Sequence, residues 1–494
     1  MQADLTVHYV NHVHVYIDCS DAIAQELSDF FTFFVPGYQF MPAFKSRVWD
    51  GKIRIFNKRD HSLYKGLLHK LEKFASDRNY HMVYAYEEFD NEMSLQEAEL
   101  FIDSLDHILD NRDYQIEAFA KGVRKKRLIL LSPTASGKSK IIYDTMSWIR
   151  RVPMKKKGLI IVPTIQLVEQ IYKDFQEYSA KNHWDVDANV HRVYEGKPKS
   201  TTKQLTITTW QSMFTMDGSF FHQYDYVIGD EVHQFKAKSL TYIMENMINA
   251  EYRIGLSGSL DESLTHKMVL EGLFGPVVQV ATTKELMDQK YLSTLHIKAL
   301  VLKHPPSICQ IASKWTYQQE IEYLIQNEAR NVFIKNLALS LKGNTLVLYN
   351  YVHKHGIQLH KLIEANLPED KFLHLVHGKT DVEVREEIRK IVSESSNNIV
   401  VASYGTTSTG INMPNLHNTI FASPSKSRIR NLQSIGRGLR IGTDGTDSHV
   451  LYDIADDLRK GKKENHTLKH FQIRLKLYAS EHFDYKIYKI QLKD

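Results

Sequence analysis

Apolar residues fall into three successive rhythms along the chain. In residues 1–86, short alternating runs (Val7–Ile17, Lys52–Phe56, Tyr80–Tyr86) surround stretches near 21–33 and 63–76 whose apolar residues recur every three or four positions. Period two predicts half-buried strands and period 3.6 predicts amphipathic helices, so this segment reads as a small α/β unit. Residues 87–113 carry a further helical stretch with Leu95, Leu100, Ile102, Leu105, Ile108 and Leu109, read as an acidic linking helix. From 114 the pattern becomes short, continuous apolar runs separated by helical segments. These runs are Leu128–Leu131, Gly158–Val162, Gln204–Thr208, Tyr226–Gly229 and Tyr252–Leu256, and then Thr345–Tyr349, Phe372–Val376, Asn398–Ala402, Thr419–Ala422 and His449–Asp453. Strands that are apolar on both faces and alternate with helices predict parallel sheets covered on both sides. Two consecutive α/β domains follow, 114–285 and 286–494.

With 494 residues, two or three cores are expected. The apolar share of 43% and charged share of 24% are those of ordinary globular proteins. No run approaches the roughly 20 apolar residues of a membrane helix, and the N-terminus lacks the pattern of a secretory signal. Cys19 and Cys309 form no CxxC pair, which points to a reducing, cytoplasmic setting and away from a cysteine zinc site. His8, His12 and His14 alternate along one predicted strand, but no carboxylate or cysteine completes a metal set.

Net charge is a mild +5, and its distribution says more. Residues 40–73 hold nine Lys/Arg against three Asp/Glu, residues 86–113 ten Asp/Glu against one Arg, and residues 459–476 seven Lys/Arg against one Glu. In the first basic stretch Lys45, Arg47, Lys52 and Arg54 alternate with Phe44, Trp49, Phe56 and Tyr64. Cations suit phosphates and aromatics suit unpaired bases. The same residues would also serve as a small core with a solvated rim.

Three segments carry chemistry. Ser132-Pro133-Thr134-Ala135-Ser136-Gly137-Lys138-Ser139 follows an apolar run and precedes a helical one, the setting of a phosphate-binding loop. Lys138 supplies a compact positive charge, and the Ser139 hydroxyl is placed for Mg²⁺. Ser132 stands where such loops begin with Gly. Asp230-Glu231-Val232-His233 ends the run Tyr226–Gly229, 92 residues after Lys138. Carboxylates at that edge of a parallel sheet can hold a metal (Asp230) and polarise a water (Glu231), although an acidic pair capping a helix would look the same in isolation. In Gln433–Arg440, Arg437 and Arg440 share a helix face and can neutralise a transferring phosphoryl group. The glycines within that helical stretch imply close approach to a neighbour.

Taken in order, these segments resemble the conserved elements of superfamily-two DExH helicases, over nearly all of 112–455. Arg112-Asp113-Tyr114-Gln115 resembles the adenine-recognition element, Ser132–Ser139 motif I, and Val162-Pro163-Thr164 motif Ia. Thr208–Ser212, with Gln211, resembles motif Ib, and Asp230–His233 motif II. Ser257-Gly258-Ser259 stands where Ser-Ala-Thr is usual. Thr345–Tyr349 resembles motif IV, followed by His377-Gly378 with Arg385. Gly410–Pro414 resembles motif V with Asn412 where Asp is frequent, and Gln433–Arg440 motif VI.

The resemblance implies two tandem RecA-like parallel-sheet domains behind the small N-terminal α/β domain, with ATP and Mg²⁺ as cofactors. It implies a nucleotide site of Arg112, Gln115, Pro133–Ser139, Gly410 and Asn412, catalysis by Lys138, Asp230, Glu231, Arg437 and Arg440, and metal ligation by Ser139 and Asp230. It further implies nucleic-acid contacts at Pro163, Thr164, Gln211, His377 and Gly378, and coupling through His233, Ser257, Ser259 and Gln433. The stretch Phe44–Arg54 and the whole arrangement resemble phage members of that superfamily that act on branched DNA. This implies fork regression, junction migration and removal of RNA from R-loops, by a monomer in the host cytoplasm that meets single-strand-binding or recombination proteins. A duplex translocase that does not separate strands is the alternative, and a binder without catalysis a more distant one.

Overall fold

The computed structural model describes residues 3–87, 92–154, 157–182, 184–234, 237–260, 264–408, 413, 415–439, 442 and 447–492. The chain divides into two compact units, residues 1–132 with 137–280, and residues 281–494 with 133–136.

The N-terminal module is a four-stranded sheet in the order Ser62–Tyr64, His14–Cys19, Leu5–Tyr9, Met82–Tyr84, with a two-stranded ribbon of Thr32–Phe34 and Lys52–Arg54 beside it. Helices Asp21–Phe30 and Leu68–Arg78 bury Leu27, Leu71 and Phe74 against Leu5, Val7, Val15 and Ile17. The predicted single strand Val7–Ile17 is two strands of an antiparallel hairpin. The Asn11 side chain accepts from the amides of Val13 and His14 at 2.7 and 2.9 Å and turns the chain. The three alternating histidines therefore do not share a strand.

The first α/β sheet has seven parallel strands in the order Val277–Gln279, Arg127–Leu131, Tyr252–Ser257, Tyr226–Gly229, Gly158–Val162, Leu205–Thr209, Val190–Val193. Its central strands are buried along their whole length, as their unbroken apolar runs require. The helix Leu95–Asp103 begins at a capping box between Ser94 and Glu97. It buries Ala98, Phe101 and Ile102 in the core that also holds Phe119, Leu128 and Met146. Leu95, Leu100, Ile108 and Leu109, expected on its apolar face, are exposed.

The N-terminal module is fastened to this sheet. The Tyr64 hydroxyl donates to Glu245 at 2.5 Å, Lys70 pairs with Glu271 at 3.0 Å, and Arg127 donates to the His12 carbonyl at 2.6 Å. Gly66 lies so close to the next segment that a Cβ there would be 2.2 Å from the Glu271 carbonyl oxygen. The ends of the two receiving helices, Ala237–Asn246 and Leu264–Phe274, are gathered by fully buried Arg253. Its guanidinium donates to the carbonyls of Leu273, Met247 and Met244 at 2.8, 3.1 and 2.7 Å.

The second unit holds another seven-stranded parallel sheet, ordered Phe372–Val376, Asn398–Ser403, Asn344–Tyr349, Leu416–Phe421, Ser448–Asp457, Thr294–Lys303, Tyr485–Gln491. Two buried ion pairs brace the strand Ser448–Asp457. Arg330 donates to Asp456 at 2.9 Å, and Arg474 donates to Asp453 at 2.9 Å. Arg474 comes from the helix His466–Ser480, whose Leu468, Phe471 and Tyr478 are buried and whose Leu475 is half-buried.

Candidate active site and nucleic-acid face

The strand Arg127–Leu131 runs into the loop 132–137, and the helix Lys138–Ile149 leaves it. Two neighbouring strands hold the loop and the acidic segment in place. The Ser132 amide donates to the Ser257 carbonyl at 2.9 Å, and the Asp230 amide to the Ile161 carbonyl at 3.0 Å. Ser132 does not adopt the left-handed conformation, so a side chain in place of the usual Gly meets no backbone penalty. The left-handed positions are Gly137, φ 76°, and Ala135, φ 68°. Gly137 is also required by space, because a Cβ there would lie 2.4 Å from the Gln115 amide nitrogen. Ser136 is buried and donates through its hydroxyl to the Pro133 carbonyl at 2.7 Å.

Lys138, opening the helix, has its ammonium 3.4 Å from a Glu231 carboxylate oxygen and donates to the Ser132 carbonyl at 3.5 Å. Ser139 stands beside it, its hydroxyl 3.4 Å from that of Tyr178, a neighbour that no sequence motif marks. Glu231 holds a left-handed backbone, φ 51°, and its amide donates to Asp230 at 2.9 Å. A non-glycine residue in that region stores backbone strain, a common feature of functional carboxylates. Burial, and then the adjacent Glu231, push Asp230 up to about 7. Burial also acts upward on Glu231, but Lys138 and His233 outweigh it and hold that carboxyl below its ordinary range.

His233 links this pair to the next strand. Its Nδ1 lies 2.7 Å from the Ser257 hydroxyl and 3.3 Å from Glu231, and the Ser257 hydroxyl donates to the Ser259 carbonyl at 2.6 Å. His233 Nδ1 thus stands between the Glu231 carboxylate and the end of the strand Tyr252–Ser257. Gln115 sits at the start of the helix Asp113–Lys125, where its side-chain oxygen accepts from the Arg112 amide at 2.9 Å. Arg112 donates to the Tyr114 hydroxyl at 3.0 Å. The segment just before is tied to the phosphate-loop helix, since His107 and Asn111 both hydrogen-bond Asp144, at 2.8 and 2.5 Å.

A helix N-terminus with a lysine and a hydroxyl, facing buried Asp230 and half-buried Glu231, can hold a polyphosphate. The hard oxygens of Ser139 and Asp230 suit Mg²⁺, and a divalent cation would favour the ionised form of a carboxylate that burial disfavours.

At the other predicted contacts, Pro163 is buried and its carbonyl accepts from Gln211 at 3.3 Å, so two separate motifs meet. The Thr164 hydroxyl caps the helix Ile165–Tyr178. In the second unit Arg385 donates to the carbonyls of His377 and Gly378 at 3.2 and 2.9 Å, bracing that turn. Gln433 is buried and Arg437 half-buried in the helix Arg428–Gly438. The close approach implied by its glycines is partly internal, since a Cβ on Gly438 would meet the His449 ring at 2.3 Å. Gly410, Asn412 and Arg440 lie outside the described residues. In the N-terminal module Lys45, Arg47 and Arg54 are exposed and Lys52 half-exposed, with Lys52 and Arg54 on one face of a strand.

The chain matches three family models: "DNA helicase UvsW, N-terminal" over residues 4–85, "Type III restriction enzyme, res subunit" over 108–262, and "Helicase conserved C-terminal domain" over 328–442. It is 31% identical to the ATP-dependent DNA helicase uvsW of Enterobacteria phage T4, across 99% of this chain and 100% of that one. It is 29% identical to the DNA 3'-5' translocase XPB2 of Sulfurisphaera tokodaii, over 42% of this chain and 45% of the relative. The crystal structure of T4 UvsW superposes with a TM-score of 0.52 at 29% identity, covering 99% of this chain and 100% of the other. An HsdR restriction-subunit fragment from Vibrio vulnificus, 15% identical, shares the fold with a TM-score of 0.58 over 89% of this chain and 75% of its own. With the phosphate loop, the DEVH segment and the tandem parallel sheets in place, the chain belongs to the UvsW family of superfamily-two ATP-dependent DNA helicases.

Proposed function

We propose that this helicase works on branched nucleic acids, regressing forks, migrating junctions and stripping RNA from R-loops. The observation that carries the reading is the N-terminal module, which matches the UvsW model and is locked to the nucleotide-binding sheet through Gly66 and Tyr64. Such a module presents Lys45, Arg47, Lys52 and Arg54 as a fixed phosphate-binding surface. ATP is held by Lys138, the loop amides and Ser139, with Gln115 and Arg112 at the adenine. Mg²⁺, held by Ser139 and Asp230, would neutralise charge on the β- and γ-phosphates. Glu231 orients and deprotonates the attacking water, and Lys138 offsets the growing negative charge. Arg437 and Arg440 are assigned to the transferring phosphoryl, and Gly410 and Asn412 to the nucleotide. His233, Ser257, Ser259 and Gln433 relay its state. Pro163 and Thr164 through their backbone, with Gln211, His377 and Gly378, complete the nucleic-acid track. The working unit is a monomer in the host cytoplasm.

A second reading, translocation on duplex without strand separation, draws on the translocase relative and the restriction-subunit model match. A panel of DNA-dependent ATP hydrolysis and strand displacement on fork, four-way junction, R-loop and linear duplex separates the two. ATP-driven displacement on the branched substrates is the expected result. Hydrolysis with no displacement on any of them would overturn the branched-substrate reading and leave the translocase as the alternative.

A further inference from the structure

Residues 35–51 leave the N-terminal fold as a self-contained knob. Its base is pinned by the antiparallel pairing of Thr32–Phe34 with Lys52–Arg54 and by the Val35 amide donating to the Gly51 carbonyl at 2.9 Å. Inside, the Tyr38 ring stacks on Phe34 and meets Phe44 edge-on, each at 4.7 Å between centroids. Gly51 makes room for that ring, since a Cβ there would be 2.3 Å from Tyr38. The Trp49 indole donates to the Lys52 carbonyl at 2.9 Å.

These interlocked rings shape the knob without using its outermost apolar residues. Phe40 is 77% exposed and Val48 82% exposed. A cavity of about 800 Å³ opens beside Val48, lined by Phe44, Lys45, Arg47, Trp49 and Arg54. Lys52 adds a fourth cation to this stretch, and the carboxylate in it, Asp50, is engaged by Arg54 at 2.5 Å. Isolated exposed apolar residues are ordinary, but Val48 lines a cavity edged by Lys45, Arg47 and Arg54, with Phe40 exposed on the same segment, and together these suit a binding surface. Its chemistry suits a ligand that combines flat apolar faces with regularly spaced negative charge, which describes unpaired nucleotides.

We propose that this knob is the strand-separating element of the motor. The cavity takes an unpaired nucleotide at the branch point, and Phe40 and Val48 pack against the bases so that the opened pair does not re-form. The inference rests on the branched-DNA reading above and goes beyond it by naming the element that splits the strands.

The test compares the full chain with Phe40→Ala/Val48→Ala and with Phe40→Trp on a forked DNA carrying 2-aminopurine at the first unpaired position. The unchanged protein and Phe40→Trp are expected to quench the fluorophore on binding, and the double variant to leave it bright. Branch separation per ATP hydrolysed is expected to fall about tenfold in the double variant. Equal quenching and equal coupling in all three proteins would overturn the proposal. If the unchanged protein separates no branched substrate yet quenches in a Phe40-dependent way, the branched-DNA reading fails while the nucleotide site stands.

Discussion

The Tyr64 hydroxyl donates to the Glu245 carboxylate at 2.5 Å, joining a strand of the N-terminal module to a helix of the first α/β sheet. Hydrogen bonds to charged acceptors contribute about 1.5–3 kcal/mol. Tyr64→Phe is therefore expected to lower unfolding stability by about that amount in a urea titration. Gly66→Ala is expected to cost more, because its methyl group would meet backbone at 2.2 Å. A Gly66→Ala protein as stable as its parent would mean that the two parts are not closely apposed.

Lys138→Ala is expected to abolish ATP hydrolysis while leaving DNA binding largely intact, because the ammonium faces the Glu231 carboxylate and sits in the phosphate loop rather than on the basic knob. Steady-state hydrolysis with and without DNA, beside a filter-binding titration, checks both halves. DNA-stimulated turnover in the variant would contradict the assignment.

Ala135 is an L-residue held at φ 68°. Relieving that conformation with Ala135→Gly offsets the left-handed penalty of about 1–2 kcal/mol, less the extra entropy of an unfolded glycine. A rise in stability of up to about 1 kcal/mol is expected, with hydrolysis retained, read from thermal melts and turnover together. A fall in melting temperature would show that the Ala135 methyl group contributes packing that outweighs the strain.

Burial, and then Glu231, raise Asp230 to about 7. For an acid with a raised folded-state pKa, the stabilising contribution is present below its unfolded value, about 3.9, and is lost as pH rises through about 7. Asp230→Asn removes this ionisation. The variant is expected to be more stable than its parent at pH 8, to lose that advantage by pH 4, and to be inactive. Melting temperatures across that range decide it, and a parallel shift at every pH would exclude Asp230 as the titrating group.

Lys52 and Arg54 share a strand face. If each meets a phosphate, Lys52→Gln/Arg54→Gln lowers the slope of log affinity against log salt by about 2, with weaker binding to every sequence tested. An unchanged slope would return the pair to a role in solubility.

The phosphate loop and the DEVH segment were legible because each lies between an unbroken apolar strand and a helix, a pattern that depends on local order alone. In the two large sheets, four strands escaped that rule. Val190–Val193 and Val277–Gln279 are short edge strands, and Tyr485–Gln491 is an exposed edge with lysines between its apolar residues. Thr294–Lys303 alternates His296 and Lys298 with apolar residues at its start and is buried farther along. The Val10–Val13 turn was hidden because its determinant is the single Asn11 side chain. The buried face of Leu95–Asp103 was misread because leucines are exposed there while Ala98 and Phe101 face the core. Ser132 carries no left-handed strain, and within the loop that strain falls on Ala135, because backbone φ is not written in the motif.

The tight abutment of Gly66 on the Glu271 and Gly272 carbonyls has a mechanical consequence. With backbone against backbone at that point, and Tyr64, Met268 and Val269 packed around it, the N-terminal fold is seated on the sheet rather than hung from a loose linker. The basic stretch and Lys138 belong to one compact unit. A load applied at the basic stretch would therefore be borne by the sheet that carries Lys138.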